Sequence, residues 1–158
     1  MNLGREQRKE HEGKEKEKRG GAALVSFAFF ASFVFFVLLF FLPALLSPDT
    51  VVMPPRSPYS DLLITHWPNA EFLRRSLEQY GQIPLWRPSP LSGTPFAANP
   101  LSTLFYPPAW LLLVLPLPLG FNLLTLAHVI LAGGAMYALA RRKWGLSSPA
   151  STVAALTY

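Results

Sequence analysis

A carboxylate, an imidazole or a guanidinium held at a lipid–water boundary can do chemistry, and this sequence concentrates such groups in one stretch. Between Ser47 and Pro108 lie Asp49, Asp61, Glu71, Glu78, His66, Arg56, Arg74, Arg75 and Arg87. Asp61, within Tyr59-Ser60-Asp61-Leu62-Leu63, is the first candidate. Its carboxylate can take the proton of an acceptor hydroxyl or hold a divalent metal ion. The plainer role is that of a loop aspartate capping a turn. His66 and Glu71 could join Asp61 around a metal, but they follow it by five and ten residues, a spacing that matches no metal motif. The guanidinium forks of Arg56, Arg74, Arg75 and Arg87 suit phosphate oxygens; lipid head groups or loop salt bridges are the plainer partners. Asp49 reads as a helix-end or turn residue. His128 stands inside a long apolar run, where an ionisable group is costly and leans towards function. A neutral histidine hydrogen-bonded to a neighbouring helix is the cheaper arrangement.

Other chemistries have no support. There is no GxxxxGK[ST], no GxGxxG, no HExxH and no GxSxG, which removes familiar ATPase, dinucleotide-binding and hydrolase signatures. With no cysteine, disulfide scaffolds and thiolate-ligated zinc or iron–sulfur centres are excluded. A net charge of +5 raises nucleic acid as a partner. However, residues 5–19 hold seven of the 14 Lys/Arg and five of the nine Asp/Glu. That tail mixes both signs and has no aromatic residue to stack on a base, so no nucleic-acid partner is expected.

The elements that must position these groups are hydrophobic. The 158 residues are 51% hydrophobic and 15% charged, too apolar for a disordered chain. Residues 1–21 form a charged tail, read as a solvated helix with Glu12–Lys16 and Glu15–Arg19 at i,i+4 spacing. Lys16, Lys18 and Arg19 could also touch anionic lipid heads. Residues 22–46 carry no charge and eight phenylalanines. As a helix they would extend roughly 37 Å, enough to cross a ~30 Å hydrocarbon core. The run is too long for a signal peptide's apolar region, and Pro43-Ala44-Leu45-Leu46-Ser47 is a poor cleavage site. An uncleaved first membrane span is the reading.

Residues 47–108 form a loop holding 12 of the 16 prolines, a density that forbids long helices. The exception is Pro68 to Tyr80. Pro68 suits a first helical turn, Phe72, Leu73 and Leu77 share one face, and Gly81 is a natural stop. A short amphipathic helix on the membrane surface or against other spans is expected. Residues 109–119, broken by Pro116 and Pro118, read as a re-entrant or interfacial piece or a kinked lead-in to the next helix. Residues 120–140 form a second span, 141–148 a short loop, and 149–158 the start of a third helix that stops inside its element. The chain therefore reads as an all-α integral membrane protein, truncated or a fragment.

Lys16–Arg19 precede the first span and Arg141-Arg142-Lys143 follow the second. Positive residues stay on the cytoplasmic side, so both flanks place the termini inside and the 47–108 loop outside the cell membrane. Trp67, Trp86, Trp110 and Tyr106 then fall on the outer side, as an interfacial belt requires.

Five segments in order carry a resemblance. They are Ser60-Asp61-Leu62-Leu63, Tyr80-Gly81-Gln82-Ile83-Pro84-Leu85-Trp86-Arg87-Pro88, Leu91-Ser92-Gly93-Thr94-Pro95-Phe96, Asn99-Pro100 and Leu104-Phe105-Tyr106-Pro107-Pro108. Together with His128 to Tyr137 they resemble the YfhO family, bacterial multi-pass membrane proteins of the GT-C glycosyltransferase class. The resemblance covers about Ser60 to Tyr158. It implies transfer of a sugar from a polyprenyl-phosphate donor on the outer face, with an acidic residue of the first outer loop as base or metal ligand. That residue matches Asp61. Arg87, His66 and Asn99 are then the expected substrate contacts, Arg87 as the cation beside the departing phosphate. Family members have many more spans, which are expected to carry much of the donor site, so this chain alone is expected to be inactive. Two rivals share the same elements. A transporter or lipid-carrier flippase fragment should carry polar groups at the midplane of its spans; a small non-catalytic assembly partner needs no site at all.

Overall fold

The computed structural model describes residues 3–47, 49–51, 59–89 and 92–158, with side chains from Gly13 onward apart from those of Lys18, Arg19 and Ala23. Arg56 and the pairs Glu12–Lys16 and Glu15–Arg19 lie outside what is described. The protein is mostly helical (74%). Among the described residues two helices are long and apolar enough to cross a membrane. Helix α1 runs Leu3–Leu46 and takes in Pro43 near its end; α4 runs Leu117–Arg142. The charged tail and the Phe-rich run are thus one continuous helix. Between them come a π-helical turn Leu62–His66, α2 Trp67–Tyr80, a two-stranded antiparallel ribbon (β1 Trp86–Arg87, β2 Thr94–Pro95), two 3-10 turns (Pro100–Ser102 and Pro107–Trp110) and α3 Leu111–Val114. Helix α5 spans Ser148–Thr157.

The chain divides into two compact units. One comprises residues 1–39 and 128–158. Here α1 and α4 approach closely because α4 offers no side chain at Gly133: a Cβ there would lie 2.2 Å from Cζ of Phe33, which is itself buried. Phe30 packs against Tyr137 at 5.7 Å between ring centroids. The Tyr137 hydroxyl donates to the Ser26 carbonyl at 2.9 Å, and the Ser26 and Ser148 hydroxyls meet at 2.9 Å. Small residues that admit close backbones, joined by hydroxyl bonds, are the means by which apolar helices associate where no hydrophobic gradient drives them together. Helix α5 turns Ser148, Ser151, Thr152 and Ala155 inward. Gly145, at φ +63°, makes the left-handed turn that ends α4.

The second unit, residues 40–127, holds the proline-rich segment. Two small apolar clusters organise it. Ala70, Leu112 and Leu117 pack with Trp67 and Phe121, whose rings stack at 5.8 Å. Leu73, Phe96 and Leu104 pack with Phe72, which meets Phe96 edge-on at 5.1 Å. Asn122, almost wholly buried, donates to the Thr50 carbonyl at 2.6 Å. The stretch 109–119 is two helical pieces, broken where Leu115 turns to an extended conformation ahead of Pro116.

Candidate functional site

Pro68 shapes the start of α2. It has no N–H for the carbonyl of Ile64, and its ring would crowd that carbonyl in an α-helix. The backbone widens instead: the Trp67 N–H bonds to the Leu62 carbonyl, five residues back, and the turn is π-helical. Ahead of it the Ser60 carbonyl accepts from the N–H groups of Leu63 and Ile64, each at 3.0 Å, and the Ser60 hydroxyl lies 3.4 Å from the Leu63 nitrogen. Ser60, not Asp61, therefore closes this helix end. Asp61 makes no capping bond and is exposed. His66 is half-buried at the junction of the π turn with α2. Gly81, at φ +63°, ends α2 with its N–H on the Leu77 carbonyl.

Arg87 is held from two sides. One of its guanidinium nitrogens (Nη1) donates to Oδ1 of Asn69 at 2.7 Å, and its plane lies 5.6 Å over the Phe72 ring. Asn69 is 4% exposed, and its amide also donates to the Leu101 carbonyl at 3.0 Å. One buried carboxamide thus joins α2, β1 and the 3-10 turn that follows. Asn99 accepts from the Leu101 N–H at 3.0 Å and caps that turn, beside a cavity of about 410 Å³ lined by residues 97–100 and 102–106.

The other arginines fill plainer roles. Arg75 pairs with Glu71 at 2.7 Å on the helix surface, a contact worth about 0.3–0.5 kcal/mol. Arg74, read from sequence as a phosphate or head-group contact, turns inward: its Nη2 donates to the carbonyls of Leu112 and Leu115. The cause lies in α3. Pro116 offers no N–H to the Leu112 carbonyl, and the chain leaves the helix at Leu115, so both oxygens need an outside donor.

No hydrogen bond or ion pair among the described residues joins Asp61 to His66, Arg87 or Asn99. Nor do any three His, Cys, Asp or Glu residues among them form a group that could hold a metal. Asp61, His66 and Glu71 accordingly do not assemble a divalent-metal site in this chain. Asp49 is exposed in the turn after α1, and His128 is exposed on α4. Two residues that organise the segment, Asn69 and Arg74, escape a reading by sequence. Arg74 carried a usable signal, since two prolines in an apolar stretch leave carbonyls that some donor must satisfy. Asn69 carried none.

No known protein family, no curated protein and no solved structure matches this chain.

Proposed function

We propose that the chain is the N-terminal portion of a multi-pass membrane glycosyltransferase of the GT-C type. It acts on a sugar carried by a polyprenyl phosphate at the outer face of the cell membrane. The membrane reading draws support from α1 and α4. Only 17% of the most apolar window of each is buried, and Phe27, Phe35, Phe36 and Phe40 stand exposed. A core helix of a soluble domain hides such residues; lipid or further spans would cover them here. The basic flanks of the two helices orient the proline-rich unit outward.

The observation that carries the reading is Asp61. It is an exposed carboxylate at the head of the helix that anchors this unit, and among the described residues neither a capping bond nor a salt bridge engages it. In the proposed transfer Asp61 accepts the proton of the acceptor hydroxyl as that oxygen attacks the anomeric carbon. The bond to the polyprenyl phosphate breaks, and the leaving phosphate takes its electrons and negative charge. Arg87 is fixed by Asn69 and Phe72 while keeping four guanidinium N–H groups beyond the Asn69 bond, a suitable partner for that charge. Between Leu117 and Ala140 His128 is the one ionisable side chain apart from Tyr137, with no Asp, Glu, Lys or Arg, and the other charged candidates lie in the 47–108 segment, which favours surface chemistry over a transporter's midplane site.

In the full-length protein, Asp61→Asn is expected to abolish glycosyl transfer while expression and membrane insertion stay unchanged. Retained transfer removes Asp61 from the mechanism.

A further inference from the structure

Beside the C-terminal half of α2 lies a groove of about 550 Å³ that the proposed transfer does not use. It falls within the size range of small-molecule clefts. Its lining includes Trp86, Tyr80, Gln79, Gln82 and Arg75. Trp86 is 56% and Tyr80 72% exposed. Trp86 is not a loose surface ring. It belongs to the β1–β2 ribbon opposite Pro95, and its indole lies directly against Gly93, where a Cβ would come within 2.3 Å of Nε1. Gly93 sits at φ +113°, a conformation that only glycine adopts readily. The absence of a side chain at position 93 thus lets the indole sit against the ribbon in a set position.

The polar groups around that face are planar and carry little net charge. Gln79 and Gln82 each offer a carbonyl oxygen and an NH₂ group. Arg75 is neutralised by Glu71 at 2.7 Å. A phosphate or carboxylate ligand would meet no unbalanced cation here, and a hydrocarbon chain would make no use of the two exposed carboxamides. The complement is an uncharged molecule with one apolar C–H face for the indole and a rim of hydroxyls for the amides and guanidinium. A pyranose ring has that shape. We propose that this groove binds the pyranose ring of a neutral saccharide, stacked on Trp86 and hydrogen-bonded by Gln79, Gln82 and Arg75. It rests on the reading of this unit as glycosyl-handling, but binding there requires no chemistry at Asp61.

The test uses the full chain in phospholipid nanodiscs, without sugar-based detergent, and methyl α-glucopyranoside and N-acetylglucosamine as probes. Saturation-transfer NMR should mark the axial ring protons of one sugar face for at least one of the two. Trp86→Ala, and separately the pair Gln79→Ala with Gln82→Ala, should each weaken binding by about tenfold or more. Phe105→Ala, at an exposed aromatic outside the groove, should leave it unchanged, as should Asp61→Asn. Protease resistance of residues 59–110 reports whether each variant keeps its fold. The amide pair decides the matter if Trp86→Ala does not fold. The inference is overturned by no saturation transfer from either sugar. Equal binding in the folded groove variants overturns it too, as does brominated-lipid quenching that diminishes on Trp86→Phe, which would make the groove a membrane-contact surface. No glycosyl transfer by the unaltered full-length protein while groove binding persists sinks the transferase reading and spares this one; transfer that is lost in Asp61→Asn with no sugar in the groove does the reverse.

Discussion

Asn69 illustrates how one buried amide can hold an irregular segment together. Its two ends bond Arg87 and the Leu101 carbonyl, and removing the amide takes both bonds away. Asn69→Ala should therefore cost about 1–3 kcal/mol, read as a lower melting temperature of this unit and faster proteolysis between residues 85 and 105. Arg74 acts similarly on α3. Arg74→Met strips the donor from two carbonyls and should destabilise by about 1–3 kcal/mol, with Arg74→Lys recovering part of the loss because an ammonium still donates. Among the described residues the buried Nε of Arg74 has no hydrogen-bond partner; the bonds to Leu112 and Leu115 must offset that cost. At this scale the sequence was a partial guide. Asp61 and Arg87 could be singled out by type and setting. That Arg74 serves the backbone, and that Asn69 fixes Arg87, depends on groups 18 to 41 residues apart meeting in space.

At the scale of elements, prolines decide most boundaries. Pro68 widens the turn Leu62–His66 and so sets the direction in which Asp61 projects. Pro68→Ala restores a donor for the Ile64 carbonyl. The turn should relax to α-helix and rotate Asp61 by about 100° around the axis, the angle of one residue. Hydrogen exchange should show a protected amide at position 68, and transfer by the full-length protein should fall. In the unit built from residues 1–39 and 128–158, packing rests on Gly133. The chain has no native cysteine, so Ser26→Cys with Ser148→Cys should form a single intrachain disulfide under mild oxidation, the two hydroxyls lying 2.9 Å apart. Adding Gly133→Leu should suppress that crosslink by pushing Phe33 away. A crosslink that forms equally well with Leu at 133 would show that the close approach does not hold the pair.

For the whole molecule the decisive question is which side of the membrane each segment occupies. The two basic clusters agree with one another, and the proposed orientation makes a direct prediction. In intact cells a membrane-impermeant thiol reagent should label Ser92→Cys and fail to label Ser147→Cys, both positions being exposed in the fold. The reverse pattern overturns the topology and, with it, chemistry at the outer face. The apolar faces of α1 and α4 add a second expectation: the protein should partition with membranes and resist extraction by high salt, since hydrophobic transfer is not screened.

Composition and periodicity alone determined the two long apolar helices, the charged tail and the amphipathic helix ended by Gly81. Each of these follows from local rules: chain length against bilayer thickness, one face of a 3.6-residue repeat, a glycine where the backbone must turn left-handed. Tertiary structure alone decided the inward turn of Arg74, the bridging by Asn69 and the indole of Trp86 seated on Gly93. The reason is physical. A proline announces that a backbone hydrogen bond will be missing, but which distant donor replaces it is fixed only when the pieces pack.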